Sequence, residues 1–219
     1  MKIILGYIIT YCWVFLTLGL AAVARKIPGT DEEIGRKIVH CLAAFAFFPM
    51  MYFFGSSIHL IIPPLTFVAL NYLSVKKDLF SMMERHDDEK KSYGTVYYAL
   101  SMALMAAAVA FIDDKLMLPF GAGMLCMALG DGFAPFFGRI KKGNHETFGG
   151  RTLYGSISVF AISLIVIFVF KYAFGMSVPG YGVVTGAFCA CILELFAVKG
   201  LDNITLPIGV CIVCRLFMI

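Results

Sequence analysis

Apolar runs of membrane-spanning length alternate with short polar segments along this chain. Eight runs stand out, at about residues 3–24, 38–54, 58–75, 93–112, 116–138, 152–174, 179–198 and 203–219. A helix crossing a bilayer needs about 20 predominantly apolar residues. The second and last runs are short enough to be half-spans, so the pattern predicts seven or eight transmembrane helices. The connections leave no room for a soluble domain. The expected fold is therefore all-α and polytopic, a single transmembrane domain over residues 1–219. Only Lys2 precedes the first run, and no small-residue cleavage site follows it. That reads as a retained first helix rather than a signal peptide.

Composition agrees: 60% of the residues are hydrophobic, only 15% are charged, and mean hydropathy is +0.87. Charge placement adds an orientation. The segments after runs 1, 3, 5 and 7 hold Arg25, Lys26, Arg36, Lys37, Lys76, Lys77, Arg85, Lys90, Lys91, Arg139, Lys141, Lys142, Arg151 and Lys199. The other side keeps only Lys2, Lys115, Lys171 and Arg215. Basic residues stay cytoplasmic, so these odd-numbered loops are expected in the cytoplasm and the N-terminus outside. The net charge of +4 calls for no nucleic-acid partner, because cytoplasmic loops facing anionic lipid account for it.

The seven cysteines all lie in apolar runs. Cys211 and Cys214 have the spacing of a metal or redox pair, but no second pair and no histidine lies near them. Small residues that let helices pack are the better reading. Asn71 reads as an inter-helix hydrogen bond, and Arg215 as an interface anchor.

The remaining polar residues form four clusters, all on the expected cytoplasmic side. Arg36, Lys37 and His40 stand where the first loop enters the second run. Arg36 and Lys37 alone fit interface anchors, but His40 lies inside the apolar segment, on the helix face of Lys37. The second cluster is the charged run from Glu84 to Lys91, mostly a solvated loop. Lys91 and the Gly94-Thr95 step at the next helix entry suit an anion better, since a helix N-terminus offers N–H groups.

The third cluster reads GDGFAPFFGRIKKGNHETFGGRTLYGS, from Gly130 to Ser156. Asp131 is a carboxylate inside an apolar run, flanked by Gly130 and Gly132, and an acid at membrane depth is costly without a task. Magnesium takes one or two carboxylates plus phosphate oxygens and water, which suits so sparse an acid. Arg139, Lys141, Lys142 and Arg151 then lie among glycines, which let a phosphate approach the backbone. Thr152, Gly155 and Ser156 open the following helix, where Thr152 also fits a simple N-cap. The fourth cluster is Glu194 inside the seventh run, then Asp202 and Asn203 at the head of the eighth. The last two also fit a turn and helix cap.

These motifs resemble the CTP-dependent lipid-alcohol kinases: dolichol kinase, phytol kinase and the yeast-type diacylglycerol kinase, relatives of the CDP-diacylglycerol synthases. The matching elements are RKIVH at 36–40, YGTVYY at 93–98, GDGFAPFFGR at 130–139, GRTLYGS at 150–156, and Glu194 with LDN at 201–203. They occur in the order of that family, and the GDGFA form is closest to phytol kinases and their bacterial relatives. Arg151 stands where the family often has Lys, and Tyr154 where it often has Glu. A phosphatidate cytidylyltransferase would carry a further C-terminal signature that is missing here.

The resemblance implies CTP as phosphoryl donor and a membrane lipid alcohol as acceptor. Charge placement then makes Asp131 the expected Mg²⁺ ligand and puts Arg139, Lys141, Lys142 and Arg151 on the triphosphate, with Arg36 and Lys37 closing the site. His40, Glu194 and Asp202 are the candidate acceptors of the hydroxyl proton, and the sequence does not choose among them. The setting implied is the cell membrane of a prokaryote. Two alternatives stay open: a CDP-lipid synthase, and a small ion-coupled transporter using Asp131 and Glu194. Against the transporter, no internal repeat is visible and the acids cluster on one side.

Overall fold

The computed structural model describes residues 1–27, 32–77, 93–140, 143–147, 150–197 and 200–218. Among these the chain is α-helical apart from short 3-10 turns and one isolated bridge between Glu146 and Thr152. By length and composition, six helical segments among the described residues can cross a bilayer: Lys2–Ala24, Ile34–Phe54, Ile58–Lys77, Gly94–Phe111, Asp114–Gly138 and Leu153–Ala173. The fold is that of a polytopic all-α membrane protein. The seventh and eighth expected runs are also helical, but with 16 and 15 residues they fall short of a straight crossing. Two compact units divide the chain, Met1–Asp114 and Lys115–Ile219.

The first unit holds α1 (Lys2–Ala24), α2 (Glu32–Ala43), α3 (Phe47–Phe54), α4 (Ile62–Lys77) and α5 (Gly94–Phe111). The second expected run is a helix in two pieces, with a 3-10 turn at Ala44–Ala46 between α2 and α3. Pro49 explains the break: it has no N–H for the Phe45 carbonyl, and its ring crowds that oxygen. Pro63 and Pro64 cause no such break, because they sit in the first turn of α4, where the missing N–H costs nothing. Polar side chains join the helices. Trp13 Nε1 donates to the Leu42 carbonyl at 2.9 Å, and the Tyr7 hydroxyl lies 2.8 Å from His59 Nδ1. Asn71 Nδ2 donates to the Thr95 carbonyl at 2.9 Å, the inter-helix bond expected of it.

The second unit is built from α6 (Met117–Gly138), α7 (Leu153–Ala173), α8 (Gly180–Leu195) and α9 (Asp202–Leu216). α6 packs against α7 and α9, and α8 closes the group against the same two helices. Lipid tails are as apolar as leucine, so association here depends on close packing rather than on escape from water. The sequence of α6 supplies small residues for this: Gly121, Ala122, Gly123, Ala128, Gly130 and Ala134 are all buried. A Cβ on Gly130 would stand 3.3 Å from Val159 Cγ1 on α7, and one on Gly123 would collide with the Pro207 carbonyl oxygen on α9. The Cys211–Cys214 pair is free and buried in this packing, as the sequence reading expected.

Gly123→Ala is therefore expected to destabilise the protein by about 1–3 kcal/mol, because the obstructing atom is backbone and cannot step aside. Gly19→Ala, on α1 with nothing within 4 Å of its new Cβ, should be neutral or slightly stabilising. Thermal melting of the two variants in detergent checks the contrast. Equal melting temperatures would show that α6 and α9 do not approach as described.

Candidate active site

The last two turns of α6 carry Asp131, and four residues on stands Pro135. A proline N has no hydrogen to give to the Asp131 carbonyl, so the helical ladder is interrupted beside this carboxylate. The chain then reverses through a short loop. Thr147 N donates to the Arg151 carbonyl at 2.6 Å and Leu153 N donates to the His145 carbonyl at 2.9 Å. Gly150 turns the backbone at φ +77°, a conformation that favours glycine. Asn144 clasps the two ends of the loop: its Nδ2 donates to the Gly138 carbonyl at 2.8 Å, and its Oδ1 accepts from Tyr154 N at 3.0 Å. Thr152 caps α7, its Oγ1 accepting from Gly155 N at 3.3 Å. The cap role read from the sequence is borne out.

These elements surround a cleft of about 260 Å³. Asp131, Ala134, Pro135 and Gly138 line it from α6, Gly155 and Ser156 from α7, and Glu194 from the end of α8. Arg139, Gly150, Arg151 and Thr152 complete the wall. Ser156 is 8% exposed, and its Oγ has no hydrogen-bond partner among the described residues. A buried hydroxyl left so, beside the positive end of α7, fits a ligand with hydrogen-bonding oxygens.

Arg151 is the electrostatic centre. Its Nη1 lies 2.7 Å from Glu194 Oε1, and its Nη2 donates to Asp202 Oδ2 at 3.1 Å. Glu194 is 2% exposed, so this guanidinium offsets a charge that burial would otherwise penalise heavily. Burial pulls the Arg151 pKa down. The nearby Glu194, Asp202 and Asp131 charges outweigh it and raise the value above that of an ordinary arginine. The cation is fixed in place and stays charged.

Asp202 is the first residue of α9. Its Oδ1 accepts from Asn203 N at 3.0 Å, while Asn203 Nδ2 donates to the Gly200 carbonyl at 3.2 Å. The structure thus brings Asp131, Glu194, Asp202, Arg139, Arg151, Thr152, Gly155 and Ser156 to one end of the second unit. Gly130 is in the same unit but serves the α6–α7 contact and does not line the cleft. Arg36, Lys37, His40 and Thr95 belong to the first unit. There Lys37 is buried, His40 stacks edge-on with Tyr98 at 5.1 Å, and the Tyr98 hydroxyl donates to the His40 carbonyl at 3.0 Å. Lys91, Lys141 and Lys142 lie outside the described residues.

Asn144 was not singled out from the sequence. Its one signal is an amide side chain in a glycine-containing loop between two helices, where it can both donate and accept. Among the described residues no three His, Cys, Asp or Glu side chains gather as metal ligands. Asp131 nevertheless lines a cleft with an orphaned hydroxyl, and one acid with room for phosphate oxygens and water fits magnesium.

No family model matches the chain, and no solved structure matches it. Phytol kinase from Synechocystis sp. is 36% identical over 124 residues, which cover 55% of this chain and 52% of that protein. The chain therefore spans about half the length of the curated relative it matches. That similarity bears out the resemblance to lipid-alcohol kinases read from the motifs.

Proposed function

We propose that this protein is a CTP-dependent kinase that phosphorylates a membrane lipid alcohol of phytol, polyprenol or diacylglycerol type, using Mg²⁺. The observation that carries the reading is the 36% identity with a phytol kinase, and the cleft supplies chemistry suited to it. Phosphoryl transfer needs positioning and charge neutralisation more than covalent help from the protein. The acceptor oxygen forms a bond to the terminal phosphorus, the bond from that phosphorus to the bridging oxygen breaks, and lipid monophosphate and CDP result. The hydroxyl proton leaves to solvent or to a nearby base.

Asp131 would hold the metal, which would neutralise charge across the donor phosphates. Arg151 and Arg139 hold phosphate oxygens. The N-terminal turn of α7 adds its positive end, and Ser156 Oγ adds a hydrogen bond. The apolar helices keep the lipid tail in the bilayer, with its hydroxyl presented at the cytoplasmic edge. Incubation of the purified protein with labelled CTP and a lipid panel tests the reading. Phosphorylated lipid with CDP is expected. CDP-lipid with pyrophosphate would make the protein a cytidylyltransferase, and no turnover of any lipid would remove the enzyme reading.

The proposed orientation puts positions 84 and 144 in the cytoplasm, from the bias in basic residues. Single cysteines there, in a cysteine-free background, should escape impermeant labelling of intact cells, while one at position 114 is labelled. Strong external labelling at 144 would invert the topology.

A further inference from the structure

Glu194 in the cleft wall and Asp202 at the head of α9 are each engaged with the same guanidinium through a different nitrogen, at 2.7 Å and 3.1 Å. A guanidinium has five N–H donors in a rigid planar fork. Two carboxylates on its two terminal nitrogens fix the plane of that fork and still leave donors for the cleft that Arg151 lines. The supports are themselves held. Glu194 is 2% exposed at the end of α8, and Asp202 Oδ1 is occupied by the Asn203 backbone N–H at 3.0 Å. Asp202 does not line the cleft at all.

We infer that Glu194 and Asp202 are positioning residues, which act through Arg151 by holding its guanidinium ready for the donor phosphates, and are not acceptors of the lipid hydroxyl proton. The inference rests on the reading of the cleft as a phosphate site. Its sign is diagnostic. On charge alone, neutralising a carboxylate near an anion site strengthens anion binding. A positioning role predicts the reverse, because the arginine must then be ordered at the moment of binding.

The test uses the full chain in detergent, with magnesium and inorganic triphosphate as the binding probe, followed by CTP titrations at fixed phytol. Glu194→Gln and Asp202→Asn keep shape and lose charge. Each should weaken triphosphate binding about tenfold and raise KM for CTP by a similar factor, with kcat less affected. Placed in an Arg151→Ala background, Glu194→Gln should add no further loss, since both changes remove one function. Thermal melting verifies that each variant is folded. Should Arg151→Ala fail to fold, the two isosteric single variants decide the matter alone.

Unchanged or tighter triphosphate binding by folded Glu194→Gln and Asp202→Asn would overturn the inference, as would a fall in kcat at unchanged KM. A wild type that binds triphosphate through these residues but phosphorylates no lipid alcohol would overturn the kinase reading and leave the inference standing. A wild type that binds no triphosphate overturns both.

Discussion

Asp131→Asn should abolish lipid phosphorylation, by about a thousandfold or more, in a protein that still folds in detergent. The substitution keeps the shape of a residue set where Pro135 interrupts the α6 ladder and removes only its charge. A metal that neutralises transferring phosphate contributes several kcal/mol, and each 1.4 kcal/mol or so is a tenfold change in rate. The cleft offers Glu194 as the other acid, and that residue is already paired with Arg151 at 2.7 Å. Little remains to replace Asp131. The check is the rate of lipid phosphorylation at saturating Mg²⁺ alongside a melting curve. Near-normal turnover would remove Asp131 from the metal site.

Arg151→Ala should fail in two ways that can be told apart. Nucleotide use should fall about tenfold to a hundredfold, the cost of one charged contact of about 1.5–3 kcal/mol. Stability should fall as well, because the change takes away the guanidinium that faces Glu194, a carboxylate 2% exposed. Removing one partner of a buried pair costs about 3–5 kcal/mol, and the 27% exposure of the Arg151 side chain puts the expectation at the low end, about 3 kcal/mol. Adding Glu194→Gln to Arg151→Ala should restore much of that stability without restoring nucleotide use. Arg151→Lys should keep part of the activity, since the charge remains but the fork that reaches two carboxylates does not. Melting curves and CTP titrations separate the two losses. If Arg151→Ala melted like wild type and kept an ordinary CTP dependence, both the ion-pair and the donor-site assignments would fall.

The helices were legible because a spanning segment is written in composition along one dimension. The expected 116–138 and 152–174 match Met117–Gly138 and Leu153–Ala173 closely. The last two were less so. Apolar residues continue past the end of α8, through Phe196 and Ala197, and past the end of α9, while the backbone has already left the helix. Composition does not register that change.

At the site, Asp131, Arg151, Thr152 and Glu194 were each visible as charge or cap in an apolar setting. Their partnership was not. Arg151 and Asp202 are 51 residues apart in the chain, and no local pattern says that one guanidinium serves two carboxylates. Gly130, next to an acid, reads as room for phosphate; in the structure a Cβ there would stand 3.3 Å from Val159 Cγ1.

That use of small residues has an evolutionary side. At Gly123 and Gly130 the faces of α6 toward α9 and α7 leave little room for a Cβ, while Phe133, Phe136 and Phe137 are exposed and can exchange for other large apolar residues. The same helix carries Asp131, so a substitution that spreads these helices also displaces the acid from Arg151. Selection for folding alone would therefore preserve the geometry of the cleft, even in a lineage that had stopped needing its chemistry. Random drift would erase Asp131 before it erased the space around it, while the Arg151–Glu194 pair would be kept for the stability it supplies.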